Sequence, residues 1–589
     1  MKHNKQMIAV GLATSVAVTL AGCAVGSAEQ EGKEPAGTEE PKIAEKNEPE
    51  KIEPEKDEPE KDEPEKDEPE KNEPENAGGN YNVLFITVDQ EHYFEEDPQG
   101  TNWKARQLLS ELGTTFEKHY SCSNMSTSSR SVMFTGTHIP QTGMIDNTDF
   151  AYQDAMDDSL TTMGDMMREA GYYSAIKGKW HLGDASILSD EATLTDLDAY
   201  GYSDWGGKDY IGKLHEGYET DPLIVSETLE WLDTKGKTLR EEKRPFFLQV
   251  NLINPHDVMD YDNIGYKSPN MEMGGKPDDP VYDTTYDVPV PDSWDFDLSA
   301  PDVPEAIRVY QDIWSFNSGR ITDSEHWQDY RNYYFNCIQD SDNNLMEILN
   351  YLQNNDMMKD TVIVFTADHG EMHGSHALKG KGGFLYDNNM HVPLVIVHPD
   401  IEGGKRISSV TSHVDLAPTL VDLTGIPDEK KKEITAALPG RSLIPLMDGS
   451  ADSVRDASLF CYEMLSFTAV EFGKDENGNT TRTLNMDTRG MVRGITTDRY
   501  KFVRYFKPLD FNTPETLDEL FEHNDVQLFD LAADPEELSN LAADPEKNGD
   551  LILQMNDLLN ETIAREIGED KGDEVKKALK TIQDLEQNQ

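Results

Sequence analysis

Two short apolar runs in this chain end the same way. Asn82-Val83-Leu84-Phe85-Ile86-Thr87-Val88 runs straight into Asp89-Gln90, and Thr361-Val362-Ile363-Val364-Phe365-Thr366-Ala367 into Asp368-His369. Runs of this length, rich in β-branched and aromatic residues and lacking polar alternation, suit strands buried on both faces, as in a parallel sheet. Tyr172–Ile176, Phe246–Asn251 and Val392–Val397 are further candidate strands. Helical periodicity lies between them at Leu160–Ala170, Ile224–Leu232 and Asp342–Leu352. Strands alternating with helices predict an α/β fold, a mostly parallel central sheet flanked by helices. Ligands of such sheets gather beyond the carboxyl ends of the strands. Both acid pairs fall there.

Before and after this core the chain changes character. Residues 1–23 read as an export signal: Lys2 and Lys5 open it, an apolar run follows from Met7, and it closes on Leu20-Ala21-Gly22-Cys23. The run is too short for a comfortable membrane span. It resembles a bacterial lipobox, which implies lipidation at Cys23, a membrane anchor and an extracytoplasmic location. From 24 to 80 the chain carries 21 acidic residues and 8 lysines, with Pro49, Pro54, Pro59, Pro64, Pro69 and Pro74 recurring at fixed spacing. Proline and like-charge repulsion predict an extended tether, reaching on the order of 150 Å at about 3.1 Å per residue. Residues 81–450 are expected to form a catalytic domain. From about 451 to 589 a smaller α+β domain is expected, with a strand pair over Met491–Tyr505 and a helix over Asp550–Ala564. The stretch Val258–Ser324 reads as an irregular insertion on the substrate side.

A net charge of −60 argues against nucleic acid as a partner. An anionic substrate would need local attraction from a few basic side chains and a metal. Cys122, Cys337 and Cys461 form no CxxC pair, which excludes a zinc ribbon. His369-Gly370-Glu371-Met372-His373 is not a zinc-protease motif, because glycine occupies the place where HExxH needs glutamate. Asp89, Gln90, Asp368 and His369 instead form an oxygen-rich set suited to a hard divalent cation, calcium first, with manganese and magnesium as alternatives. His138, His376 and His413 read as structural.

The stretch Ser126-Thr127-Ser128-Ser129-Arg130-Ser131-Val132-Met133-Phe134-Thr135-Gly136 is a hydroxyl-rich turn feeding a short helix, with Arg130 close behind a candidate nucleophile. A helix N-terminus and a guanidinium both favour an anion. This segment resembles the signature of the sulfatase family, within the alkaline phosphatase-like superfamily: Cys or Ser, any residue, Pro or Ala, Ser, Arg, then an apolar helix and Thr-Gly. The resemblance extends through Gly171–His181, Asn254-Pro255-His256, Phe365–Gly370, Lys381, Tyr386, Val392-Pro393-Leu394, Asp415–Leu420, Gly440–Leu443, Thr497–Lys501 and Leu528–Leu531 with Asp534-Pro535.

The resemblance implies hydrolysis of sulfate monoesters, here of an extracellular sulfated small molecule or glycan. It implies that Ser126 is converted to formylglycine by a radical maturation enzyme. The hydrated aldehyde offers one hydroxyl to attack sulfur and a second whose deprotonation expels sulfate. A plain serine would be trapped as its sulfate ester. The implied metal ligands are Asp89, Gln90, Asp368, His369 and the residue at Ser126. Arg130 is implied to stabilise the formylglycine, Lys179 and Lys381 to bind sulfate oxygens, His181 to orient or deprotonate the diol, and His256 to protonate the leaving alcohol. Two features depart from the family pattern. Ser128 stands where Pro or Ala is usual, and Gln90 and His369 replace the commoner Asp and Asn. The second variation resembles choline sulfatases and phosphonate monoester hydrolases. A phosphodiester or phosphonate monoester hydrolase, and a catalytically silent binder of sulfated glycans, are therefore the alternative readings.

Overall fold

The computed structural model describes residues 81–183, 197–206, 209–474 and 480–587. The export segment with Cys23 and the acidic tether lie outside the described residues. No helix among the described residues is long and apolar enough to cross a membrane.

Seven strands form the central sheet, in the order Tyr173–Gly178, Phe246–Pro255, Asn82–Asp89, Thr361–Ala367, Leu394–Val397, Thr114–Phe116, Lys405–Ile407. The first four pair in parallel, and Leu394–Val397 alone runs against the rest. The five strands expected from the apolar runs are all present. Alternation along the central strand explains why neither face could be polar. Val83 and Phe85 pack into one apolar layer with Met133, Phe134, Met163, Leu416 and Leu420. Leu84, Ile86 and Val88 pack into the other with Leu109, Ile224, Val225, Leu345 and Ile348. Each such aliphatic or aromatic side chain contributes roughly 1.5–3 kcal/mol by leaving water. The result is a sheet between two helical layers.

Helix ends follow local chemistry. Thr162 caps Met163–Glu169 by accepting from Gly164 N and Asp165 N, which satisfies donors that the first turn leaves free. Asp323 does the same for the helix Ser324–Asn354, accepting from His326 N at 3.0 Å. That helix is much longer than the expected Asp342–Leu352, since Trp327, Tyr330, Tyr333 and Tyr334 bury its first half as well. The supposedly irregular Val258–Ser324 also contains a helix, Glu305–Ser318, whose Ala306, Ile307, Tyr310, Ile313 and Trp314 are buried. Aspartate and proline around it obscured the period.

Beyond the sheet, Ala457–Tyr462, Met491–Thr497, Tyr500–Phe506 and Asp525–Asp530 form a separate antiparallel sheet. The helix Pro545–Glu566 packs on it. Buried polar contacts join this part to the rest: Lys501 pairs with Asp387 at 2.8 Å while Glu537, from the same part, braces it at 2.6 Å, and Glu566 bonds to His138 Nε2 at 2.9 Å. Cys122, Cys337 and Cys461 are free and buried.

Candidate active site

Register brings the chemistry together. Val88 pairs with Ala367, so the central strand and its neighbour end at one level, and Asp89 and Asp368 emerge side by side. Asp89 in turn aligns with Pro255, which precedes His256, and Gly178 aligns with Asn251, delivering Lys179. Four parallel strands thus contribute Lys179, His256, Asp89 and Asp368 to one edge, as expected for an open α/β sheet.

The helix Ser126–Thr135 points its N-terminus at that edge. Ser126 Oγ lies 3.1 Å from His369 Nε2 and 3.3 Å from the nearer Asp89 oxygen. Arg130, four residues on and therefore on the same helix face, spends its donors on the acid pair. Its Nη2 reaches Asp89 Oδ2 and its Nε reaches Asp368 Oδ2, both at 3.0 Å, and its Nη1 reaches Lys179 O at 3.1 Å. No hydrogen bond joins it to Ser126 among the described residues. Lys179 Nζ sits 2.7 Å from Asp89 Oδ2 as an ion pair without a directed hydrogen bond. Lys381 Nζ meets Gln90 Oε1 and lies 3.3 Å from Met259 Sδ.

Asp89, Asp368 and His369 present ligand atoms within 4.8 Å of one another, all buried. Burial pushes the Asp89 carboxyl upward, but Lys179 and Arg130 outweigh it and hold it well below the usual range. Burial, and then the charge of Asp89, push Asp368 up. Two buried acids at this spacing, with an imidazole and an amide oxygen beside them, fit a hard divalent cation, which would let both stay ionised. Burial, reinforced by the nearby lysines, drives His181 and His256 well below the ordinary imidazole value and keeps both neutral.

Several supports were invisible in the sequence. Asp209 accepts from Trp180 N at 2.8 Å and from His181 N at 2.8 Å, fixing a turn in which His181 takes φ 57°. Gly212 lies against the His256 ring, where a Cβ would stand 2.1 Å from its Cε1. Glu371 accepts from Gln90 Nε2 at 2.5 Å. Of these, only Glu371 lies within a stretch that the sequence singles out, His369-Gly370-Glu371-Met372-His373. Tyr310 of the insertion donates to Lys379 O at 2.9 Å, buttressing the segment that carries Lys381. His138, His376 and His413 bond to Glu566, to Glu537 O and to Ala367 O.

The helix that carries Ser126 faces the acid pair on the strand ends, with Lys179 and Lys381 beside that pair, on a sheet of the alkaline phosphatase-like fold. The sulfatase family profile matches residues 81–426, and that of the N-sulphoglucosamine sulphohydrolase C-terminal region matches 374–565. The chain belongs to the sulfatase family and is a sulfuric ester hydrolase. It is 23% identical over 510 residues to an N-acetylglucosamine-6-O-sulfatase of Bacteroides thetaiotaomicron, covering 78% of this chain and 82% of that one. It is 27% identical over 474 residues to arylsulfatase K of Gallus gallus, covering 78% of each. Among solved structures, one in complex with its substrate D-glucosamine-2-N,6-O-disulfate aligns with a TM-score of 0.55 at 19% identity, covering 84% of this chain and 99% of that one. A phosphonate monoester hydrolase from Silicibacter pomeroyi aligns at 0.58 and 19%, covering 83% and 96%.

Proposed function

We propose that Ser126 is matured to formylglycine and that the enzyme removes sulfate from extracellular sulfated glycans. The observation that carries this is the place of Ser126 Oγ, within 3.4 Å of both Asp89 oxygens and 3.1 Å from His369, at a helix N-terminus that favours anions. A divalent cation, calcium by preference, would be held by Asp89, Gln90, Asp368 and His369 and would supply Lewis-acid polarisation of the nucleophile and of a sulfate oxygen.

The chain's own residues do the rest. Lys179 and Lys381 hold the sulfate oxygens, where negative charge must be balanced. His181, fixed by Asp209, receives the proton of the attacking hydroxyl. His256 gives a proton to the departing alcohol oxygen. Burial first, and then the charges of Lys381 and Lys179, depress His256, so an anionic sulfate held by those lysines would offset their part of the shift and raise its proton affinity. The glycan substrate is supported by the names of the glucosamine sulfatases among the relatives. The export segment and tether support a membrane-anchored enzyme facing outward.

Coexpression with a serine-type radical maturase should remove two hydrogens from Ser126, read by intact mass. The matured enzyme should then cleave a sulfated mono- or disaccharide from a panel, and an aryl sulfate faster than the matched aryl phosphate. Full activity with an unmodified Ser126 would sink the formylglycine reading. Preference for the phosphate would favour the phosphonate-hydrolase alternative, to which Gln90 and His369 also fit.

A further inference from the structure

The Gln90 amide lies between two opposite charges. Its Nε2 donates to Glu371 Oε2 at 2.5 Å, and its Oε1 accepts from the Lys381 ammonium. Turned over, it would set its NH2 against the ammonium and its carbonyl oxygen against the carboxylate, two repulsive contacts at a fully buried residue. The backbone is clamped as well. At φ 74°, Gln90 N donates to Asp368 Oδ1 at 3.1 Å, and its carbonyl accepts from Tyr334 Oη at 3.0 Å. Glu371 is itself held by donors. Its Oε1 accepts from Gly380 N at 2.7 Å, His373 N at 3.0 Å and Tyr330 Oη at 3.2 Å. With one oxygen committed to those three, the other is left for Gln90 alone.

We infer that Glu371 is a positioning residue that selects the amide orientation of Gln90, making Oε1 the atom offered to a divalent cation beside Asp89, Asp368 and His369. This rests on the reading of those residues as a cation site. An amide oxygen has two lone pairs, one for Lys381 and one for the cation, whereas an amide NH2 would present two hydrogens and no donor pair.

The full chain, stripped with chelator, is titrated with calcium chloride by calorimetry. In Glu371→Gln the new side chain must keep its oxygen on the Gly380 and His373 amides, so it turns NH2 groups toward Gln90 and removes the preference. Calcium affinity should fall about 10- to 100-fold, as for other groups that orient metal ligands. Exchanging the two groups, in Gln90→Glu with Glu371→Gln, restores a donor facing an acceptor and returns an oxygen to the cation. Its affinity should come back to within a few-fold of wild type. A merely structural glutamate would lower the cation-free melting temperature without rescue by the exchange. Wild-type affinity in Glu371→Gln, or an exchange variant that binds no better than it, overturns the inference. If the single variant does not fold, the exchange variant decides alone. A wild type that takes up neither calcium nor manganese overturns the cation site, and this inference with it.

Discussion

Arg455 and Lys179 are both buried cations facing an aspartate, and they are finished differently. Arg455 Nε reaches Asp415 Oδ2 at 2.8 Å, and its Nη1 reaches Ala457 O and Glu566 Oε1 at 3.3 Å. Asp415 also accepts from Arg441 N and Ser412 N. Lys179 has its ion pair and, among the described residues, no directed hydrogen bond, and near it His181 Nδ1 and His256 Nδ1 are buried without partners among those residues. Buried polar groups normally find partners inside the chain. The cluster around Arg455 does so and locks the C-terminal part onto the sheet domain. The cluster around Lys179 leaves its hydrogen-bonding capacity for something that arrives. The first should govern stability, the second activity.

Breaking that division should begin with Lys179. Lys179→Ala is expected to lower kcat/KM on an aryl sulfate about 10³-fold, with a melting temperature close to wild type because Arg130 still neutralises Asp89. Steady-state kinetics with differential scanning fluorimetry reads both. Arg455→Ala should invert the pattern, costing about 3–4 kcal/mol in urea denaturation by stranding Asp415 and Glu566, while the folded fraction keeps its kcat.

Acid sharpens the comparison further. Burial alone would raise Glu566, but its bond to His138 and the charge of Arg455 outweigh this and pull it down to about 2. A carboxyl lowered in the folded state stabilises above its ordinary value near 4.5 and loses that contribution as pH falls toward 2. Wild type should therefore lose roughly 3 kcal/mol more than Glu566→Gln between pH 5 and pH 2, at about 1.36 kcal/mol per unit. Urea titrations of both proteins across that range measure the difference. His256→Ala should cost about 10²-fold in kcat on alkyl sulfates and less on aryl sulfates, whose leaving groups need no proton. Equal losses would remove its role as acid. The smallest effect belongs to Ser128→Ala, expected to stabilise by about 1 kcal/mol by deleting an unpaired buried hydroxyl. It should also raise the fraction of Ser126 converted on maturation, read by intact mass.

How far this was legible follows from where each signal resides. The strands Asn82–Asp89 and Thr361–Ala367 announced themselves because burial on both faces leaves a continuous apolar run. That their ends coincide is a fact of register, which lies in pairing and not in either run. Ser126 and Arg130 were readable together because one helical turn relates them. Asp209 and Glu371 were not, since their partners are backbone or side-chain atoms brought near only by folding. The helix Glu305–Ser318 was not readable either, because the aspartates and prolines around it mask its apolar period.

One consequence follows from the common level at which the strands end. Lys179, His256, Asp89 and Asp368 ride on adjacent strands held by a continuous ladder, so a slip of any strand would turn its reactive group to the wrong side of the sheet. The spacing between acid pair and lysine is therefore among the least negotiable dimensions of the molecule. The chain that follows His256 lies off this ladder, yet its Met259 and Tyr310 brace Lys381 and the segment that carries it, so rebuilding it for a new alcohol has to spare those two contacts.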